Sequence, residues 1–285
     1  MNNNPSIPGY ARVLLIIIPY FIIVGVFQYI GMLVTQVDFK NFDISAISSQ
    51  QHLIISLFDL LSNFLLLSIF VNYVDKENLI SVGLDIKKRL KDIVMGLALG
   101  LGIMGIGLLS LLFFDEIDME TVNFSYKEIF MMFFLFMIVS IVEEVLLRGY
   151  VLRNLMYSFN NYLALIISSL LFATLHLGNP NMDWFNFMNL FLAGILLGAS
   201  YIFTKNLWFP IALHFSWNFF QSLFGFNVSG IDSYSLIEFK IKDPNLWNGG
   251  AFGFEGSFLS VIAQVIVIIL IFYYYKNPLK LNSSK

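Results

Sequence analysis

Long apolar runs alternate with short polar breaks along almost the whole chain, and that alternation predicts the architecture. A helix needs about 20 mostly apolar residues to cross a bilayer. Eight stretches approach or exceed that length: about 12–35, 52–74, 92–114, 127–149, 162–178, 184–204, 207–226 and 257–275. The fifth is short, and the seventh is interrupted by polar and aromatic residues. Arg12 followed by VLLIII resembles the start of a signal peptide. The apolar stretch runs on to about Val34 without a small-residue cleavage site, so it reads as a retained first helix. Only two breaks have any size. Residues 75–91 form a basic, mildly amphipathic link suited to anionic headgroups, and residues 227–256 form a loop with the glycine-rich stretch NGGAFGFEGS.

Composition agrees with a membrane setting. Hydrophobic residues make up 58% of the chain and charged residues 12%, with a mean hydropathy of +0.78, outside the range of soluble domains. With 285 residues the chain suffices for one helical bundle, so residues 1–285 read as a single membrane domain. The absence of cysteine excludes disulfides, thiol catalysis and cysteine-bound metals. Neither the net charge of −3 nor any basic tract suggests a nucleic-acid partner. The expected partners are membrane lipid and a peptide or membrane-protein substrate.

The placement of the basic residues orients the bundle. With the N-terminus in the cytoplasm, Arg12, Lys76, Lys87, Lys88, Arg89, Lys91, Arg148, Arg153, Lys205, Lys276, Lys280 and Lys285 fall inside. Lys40, Lys127, Lys240 and Lys242 fall outside, together with the acidic stretch from Asp115 to Glu120. This bias follows the positive-inside rule and places both termini in the cytoplasm. The expected fold is all-α, a polytopic integral membrane bundle of about eight transmembrane helices. Richness in Asn, Ile, Phe and Lys suggests an AT-rich bacterial genome, hence the inner membrane of a bacterial cell.

Against that apolar background a few polar residues stand out. Glu143 and Glu144 end the run IFMMFFLFMIVSIV, and a charge at the centre of a membrane helix costs about 3 kcal/mol by insertion scales. Glu144 and Arg148 are four apart, the spacing of an intrahelical ion pair. Glu143 has only Val139 and Leu147 at that spacing and needs a partner on another helix, or a proton. His176 ends FATLH in the fifth stretch. His214 begins HFSWN in the seventh, with Asn218 on the same helical face.

The hairpin between the fourth and fifth helices turns near Phe159 to Asn161. Glu143 and His176 lie 16 or 17 positions on either side of that turn, so they should be level. If the polar stretch from Arg148 to Asn161 protrudes into the cytosol, Glu143 lies roughly 8 Å inside the membrane at 1.5 Å per residue. His214 then lies roughly 10 Å deep by the same rise. The three groups converge on one layer in the cytoplasmic half.

A carboxylate and an imidazole can hold a water and take its proton. A histidine and an asparagine can donate hydrogen bonds to the oxyanion of a tetrahedral intermediate. Together they suffice for amide hydrolysis without a serine or cysteine nucleophile or a cofactor. Glu143, His176 and His214 could alternatively hold Zn2+, since histidine and carboxylate are ordinary zinc ligands, although the helical H-E-x-x-H signature is absent.

The segments EEVLLR (143–148), FATLH (172–176) and HFSWN (214–218) resemble, in order, the EExxxR, FxxxH and HxxxN/D motifs of the CPBP intramembrane proteases. That family includes the type II CAAX prenyl endopeptidases and relatives linked to bacteriocin immunity. The resemblance covers about residues 127–226 and implies a membrane-embedded endopeptidase. Glu143 would activate water with help from His176, His214 and Asn218 would stabilise the oxyanion, and Glu144 and Arg148 would orient the site. In the prenyl-protein branch a C-terminal tripeptide is removed from a lipidated CAAX protein, a substrate that bacteria generally lack. Other uses of the same groups are a proton relay in a transporter, a non-hydrolytic scaffold, or interhelical hydrogen bonding. His52, at the outer end of the second stretch, is expected to lie far from this layer.

Overall fold

The structure, a computed structural model, describes residues 7–39 and 46–276. Lys40, Lys280 and Lys285 from the charge reading lie outside the described residues. Among the described residues, eight α-helices of 15 residues or more build the bundle. They are α1 (Gly9–Val34), α2 (Ser49–Ile69), α3 (Leu90–Phe113), α4 (Tyr126–Glu144), α5 (Asn161–Leu175), α6 (Trp184–Ala199), α7 (Trp208–Leu223) and α8 (Phe258–Lys276). Six, counted with their extensions, are long and apolar enough to cross a membrane; α5 and α7, with 15 and 16 residues, are shorter. Much of the apolar surface faces outward, as in Leu14, Ile18, Phe21 and Ile22 of α1, which suits lipid rather than water.

The two ends of the bundle differ in charge and construction. At one end lie Arg12, Lys76, Lys87, Lys88 and Arg89, and the link after α2 packs onto the helices. Tyr201 Oη donates to the Val82 carbonyl (2.8 Å), and Trp208 Nε1 donates to that of Leu84 (3.1 Å). At the other end, β1 (Ile117–Val122) pairs antiparallel with β2 (Ile237–Ile241), with an irregularity between Met119 and Thr121. This small sheet is an addition to a mostly helical fold. It joins the acidic stretch after α3 to the loop after α7, confirming that those two connections share one end.

The centre of the bundle is α7. Every one of its residues except Trp208 and Phe220 is buried. Its polar side chains therefore meet protein rather than lipid, which makes them affordable in a short helix. α3 lies unusually close because it presents glycines to α7. A methyl on Gly100 would stand 2.6 Å from Ser216 Cβ, and one on Gly96 2.8 Å from Ala212 Cβ. Ser216 Oγ also donates to the Leu97 carbonyl at 2.7 Å. Glycine here serves close backbone approach, as in membrane helix pairs generally.

α4 does not end where its apolar run ends. After Glu144 it continues as a π-helical stretch, Val145–Leu152, and a final turn, Arg153–Met156. All eight π-helical residues are buried. Arg153 and Asn154 are buried too, so the first part of the stretch expected to protrude, residues 148–155, is packed inside the bundle, while Tyr157, Asn160 and Asn161 are exposed. The polar side chains there find internal partners. Arg12 Nη1 reaches Asp75 Oδ1 at 3.1 Å and Asn154 Oδ1 at 3.2 Å, and Asn154 donates to Asp75 Oδ2 at 3.2 Å. Glu143 thus lies 13 residues from the Met156 end and 17 from Tyr126, near the middle of the continuous helix rather than shallow within it.

Candidate active site

Glu143 and Glu144 occupy the last positions of α4 before its helix widens. Successive helical residues point about 100° apart, so the pair diverges. Glu144 is fully buried, whereas the Glu143 side chain is 28% exposed, onto a cavity. π-Helical turns are rare and concentrate at functional sites. Two side chains from outside the stretch occupy its carbonyls: Ser168 Oγ donates to Leu147 (3.0 Å) and Asn154 Nδ2 to Tyr150 (3.1 Å).

Glu144 joins three elements. Its Oε1 accepts from Arg148 Nη1 at 2.8 Å and lies 2.9 Å from His214 Nδ1 on α7. Arg148 Nη2 donates to the Gly194 carbonyl on α6 (3.2 Å), and its guanidinium lies over the Phe172 ring on α5, 4.7 Å from the centroid. Arg148 is 1% exposed. Its charge is matched by the carboxylate, and the aromatic face adds a cation–π contact. Gly194 also lets α6 pack closely on α5, since a methyl there would stand 2.8 Å from the Ser169 Cα. Sequence spacing identified the Glu144–Arg148 pair; the link to His214 comes only from tertiary packing.

His176 caps the end of α5, with its Nδ1 2.8 Å from the Phe172 carbonyl. A carbonyl can only accept, so Nδ1 carries a proton; in the neutral ring Nε2 is then an acceptor. That Nε2 lies 3.9 Å from Glu143 Oε2. His214 Nε2 lies 4.0 Å from the same oxygen. Glu143 Oε2 is buried and accepts no hydrogen bond from any described residue. Residues from α4, α5 and α7 thus meet at one carboxylate oxygen.

Glu143, His176, His214 and Asn218 all line one cavity of about 490 Å3. Tyr20, Val24 and Gln28, one face of α1, form another part of its wall. His52 lines it too, so the cavity extends to the start of α2. At the sheet end the wall is made by Val228, Ser229, Ile231, Ser233 and Glu255 of the long loop. Sequence reasoning left that loop outside the membrane. Its glycine-rich turn packs against the helices, burying Phe252, Phe254 and Glu255. Gly253 makes this possible: its φ of 98° is left-handed, and a methyl there would stand 1.9 Å from the Asn227 carbonyl oxygen. The available signal was an acid flanked by phenylalanines and glycines, FGFEGS.

Tetrahedral zinc, with bonds of about 2.0–2.2 Å, would draw ligand atoms to roughly 3.4 Å from one another. The two separations here, 3.9 and 4.0 Å, are wider. Among the described residues no group of three His, Asp or Glu side chains is arranged to hold a metal ion.

Fold and site together define a multi-pass integral membrane protein with a buried acid–imidazole centre beside a cavity. Residues 125–220 match the family described as type II CAAX prenyl endopeptidase Rce1-like, in agreement with the resemblance drawn from the three motifs, all of which lie within the matched segment. No curated protein and no solved structure matches the chain.

Proposed function

We propose that this protein is a glutamate-dependent intramembrane endopeptidase that hydrolyses a peptide bond with an activated water. The family match supports the reaction class. The observation that carries the mechanism is the position of Glu143 Oε2, 3.9 and 4.0 Å from the two imidazole Nε2 atoms. A water making two hydrogen bonds of about 2.8 Å at a near-right angle spans roughly 4 Å, so each gap is one water wide.

A water placed between Glu143 and His176 would donate one hydrogen to the carboxylate and the other to the His176 Nε2. Both of its hydrogens are then held, and its lone pair points away, toward a substrate carbonyl. As the water oxygen attacks, its proton passes to Glu143, which can later deliver it to the leaving amine. The carbonyl oxygen, now negative, is met by His214 Nε2–H and the Asn218 side-chain amide. That role requires His214 to carry protons on both nitrogens, with Nδ1–H donated to Glu144. Glu144 and Arg148 hold that ring in place and do not touch substrate.

The basic end of the bundle is proposed to face the cytoplasm, following the positive-inside rule, and the eight segments to make eight passages. The deciding experiment uses the full chain in liposomes with a quenched fluorescent peptide ending in a farnesylated CAAX sequence. The wild type should release fluorophore, and Glu143→Gln should abolish release while remaining monodisperse in detergent. Full activity in Glu143→Gln would overturn the mechanism. A wild type that leaves the peptide intact would count against this substrate class.

A further inference from the structure

Glu255, which no motif includes, is tied to the oxyanion side of the site. It lies in a short helical turn, Phe254–Gly256, just before α8 and is 7% exposed. Its Oε1 accepts from Trp217 Nε1 at 3.1 Å. Its Oε2 accepts from the Ser229 backbone N–H at 2.9 Å and from Ser229 Oγ at 2.7 Å. Trp217 directly precedes Asn218 on α7, and Ser229, Glu255 and Asn218 line the same cavity. Ser229 itself is held at a φ of 50°, which is costly for a residue other than glycine.

We infer that Glu255 is a positioning residue for the proposed hydrolysis: by clamping Trp217 to the long loop, it fixes the rotation of α7 and so the aim of Asn218. This inference rests on the hydrolytic reading. The glycines of α3 set how closely α7 approaches, but a contact with small residues resists rotation weakly. The Trp217 indole is a lever on the neighbouring face. A rotation of about 20° would carry a side-chain tip some 6 Å from the helix axis through roughly 2 Å. A displacement of about 1 Å at a reacting centre can cost 100-fold in rate. A buried carboxylate is expensive unless all its lone pairs are engaged, and three donors converge on this one.

The test uses the full chain in liposomes with the farnesylated CAAX reporter. Trp217→Phe removes the N–H and keeps a ring, and Glu255→Gln keeps the shape of the clamp. Each should lower kcat about tenfold with KM changed less than about twofold, because an oxyanion donor acts mainly in the transition state. In an Asn218→Ala background the same substitutions should have almost no further effect. Equal losses with and without Asn218, or a change confined to KM, would overturn the inference. A second readout is independent of cleavage. The chain has no cysteine, so Asn218→Cys provides a single thiol, and its maleimide labelling should accelerate several-fold when Trp217→Phe is added. An unchanged labelling rate sinks the inference even if the wild type proves inactive, a result that would instead count against the hydrolytic reading.

Discussion

His214 Nδ1 and Glu144 Oε1 lie 2.9 Å apart in the interior of the bundle, although 70 residues separate them in the chain. The same oxygen accepts from Arg148. One fully buried carboxylate therefore sets the orientation of an imidazole on α7 and neutralises a guanidinium on its own helix.

Arg148→Met should be among the most destabilising substitutions in the chain. It removes the guanidinium that is paired with the buried Glu144, and breaking one side of a buried pair costs about 3–5 kcal/mol. Thermal unfolding in detergent, followed by fluorescence-detected size exclusion, should show a Tm lowered by several degrees or no folded protein. Glu144→Gln preserves shape and removes the charge. It strands the buried Arg148 guanidinium in turn, so it should also lower the Tm, and the fraction that folds should lose most of its kcat through misorientation of His214.

The close contact of α3 with α7 predicts a graded series. Gly100→Ala places a methyl 2.6 Å from Ser216 Cβ, and Gly96→Ala meets both Ala212 and the Leu213 backbone N. Each should destabilise by about 1–3 kcal/mol through overpacking and shift α7 enough to reduce cleavage. Gly102, on the same helix, has nothing within 4 Å of an added methyl. Gly102→Ala should be neutral or stabilising by up to about 1 kcal/mol, since alanine is the better helix former. A loss from Gly102→Ala comparable to that from Gly100→Ala would refute the packing argument.

At the basic end, Asp75 is the acid shared by Arg12 and Asn154, and the Asp75 side chain is fully buried. Asp75→Ala should leave the Arg12 charge without compensation and cost about 3–5 kcal/mol. The double substitution Arg12→Met with Asp75→Leu should recover much of that loss. Comparing Tm values of the single and double variants checks the coupling.

Chelation separates the proposed water activation from a zinc mechanism. Preincubation with a strong chelator should leave cleavage of the farnesylated reporter unchanged, because the carboxylate–imidazole gaps fit water better than a tetrahedral ion. Loss of activity restored by added zinc would favour the metal.

The membrane class was legible in the chain because a lipid interior demands long unbroken apolar runs, and no folding detail can hide them. The placement of polar groups within those runs singled out Glu143, Glu144, Arg148, His176, His214 and Asn218. Hairpin symmetry already put Glu143 level with His176, since two antiparallel helices of equal rise leave little choice. Sequence spacing failed where side chains are satisfied across helices. It read Arg148 to Asn161 as protruding because polar residues there were counted without their partners, and it singled out no residue near Glu255 because a glycine-rich segment has no periodicity to follow. Rotation of each helix, the reach of Glu144 to His214, and the loop packing that brings Glu255 against Trp217 were decided only by tertiary packing. Periodicity fixes which residues share a face of one helix; which faces meet depends on contacts between residues far apart in the chain.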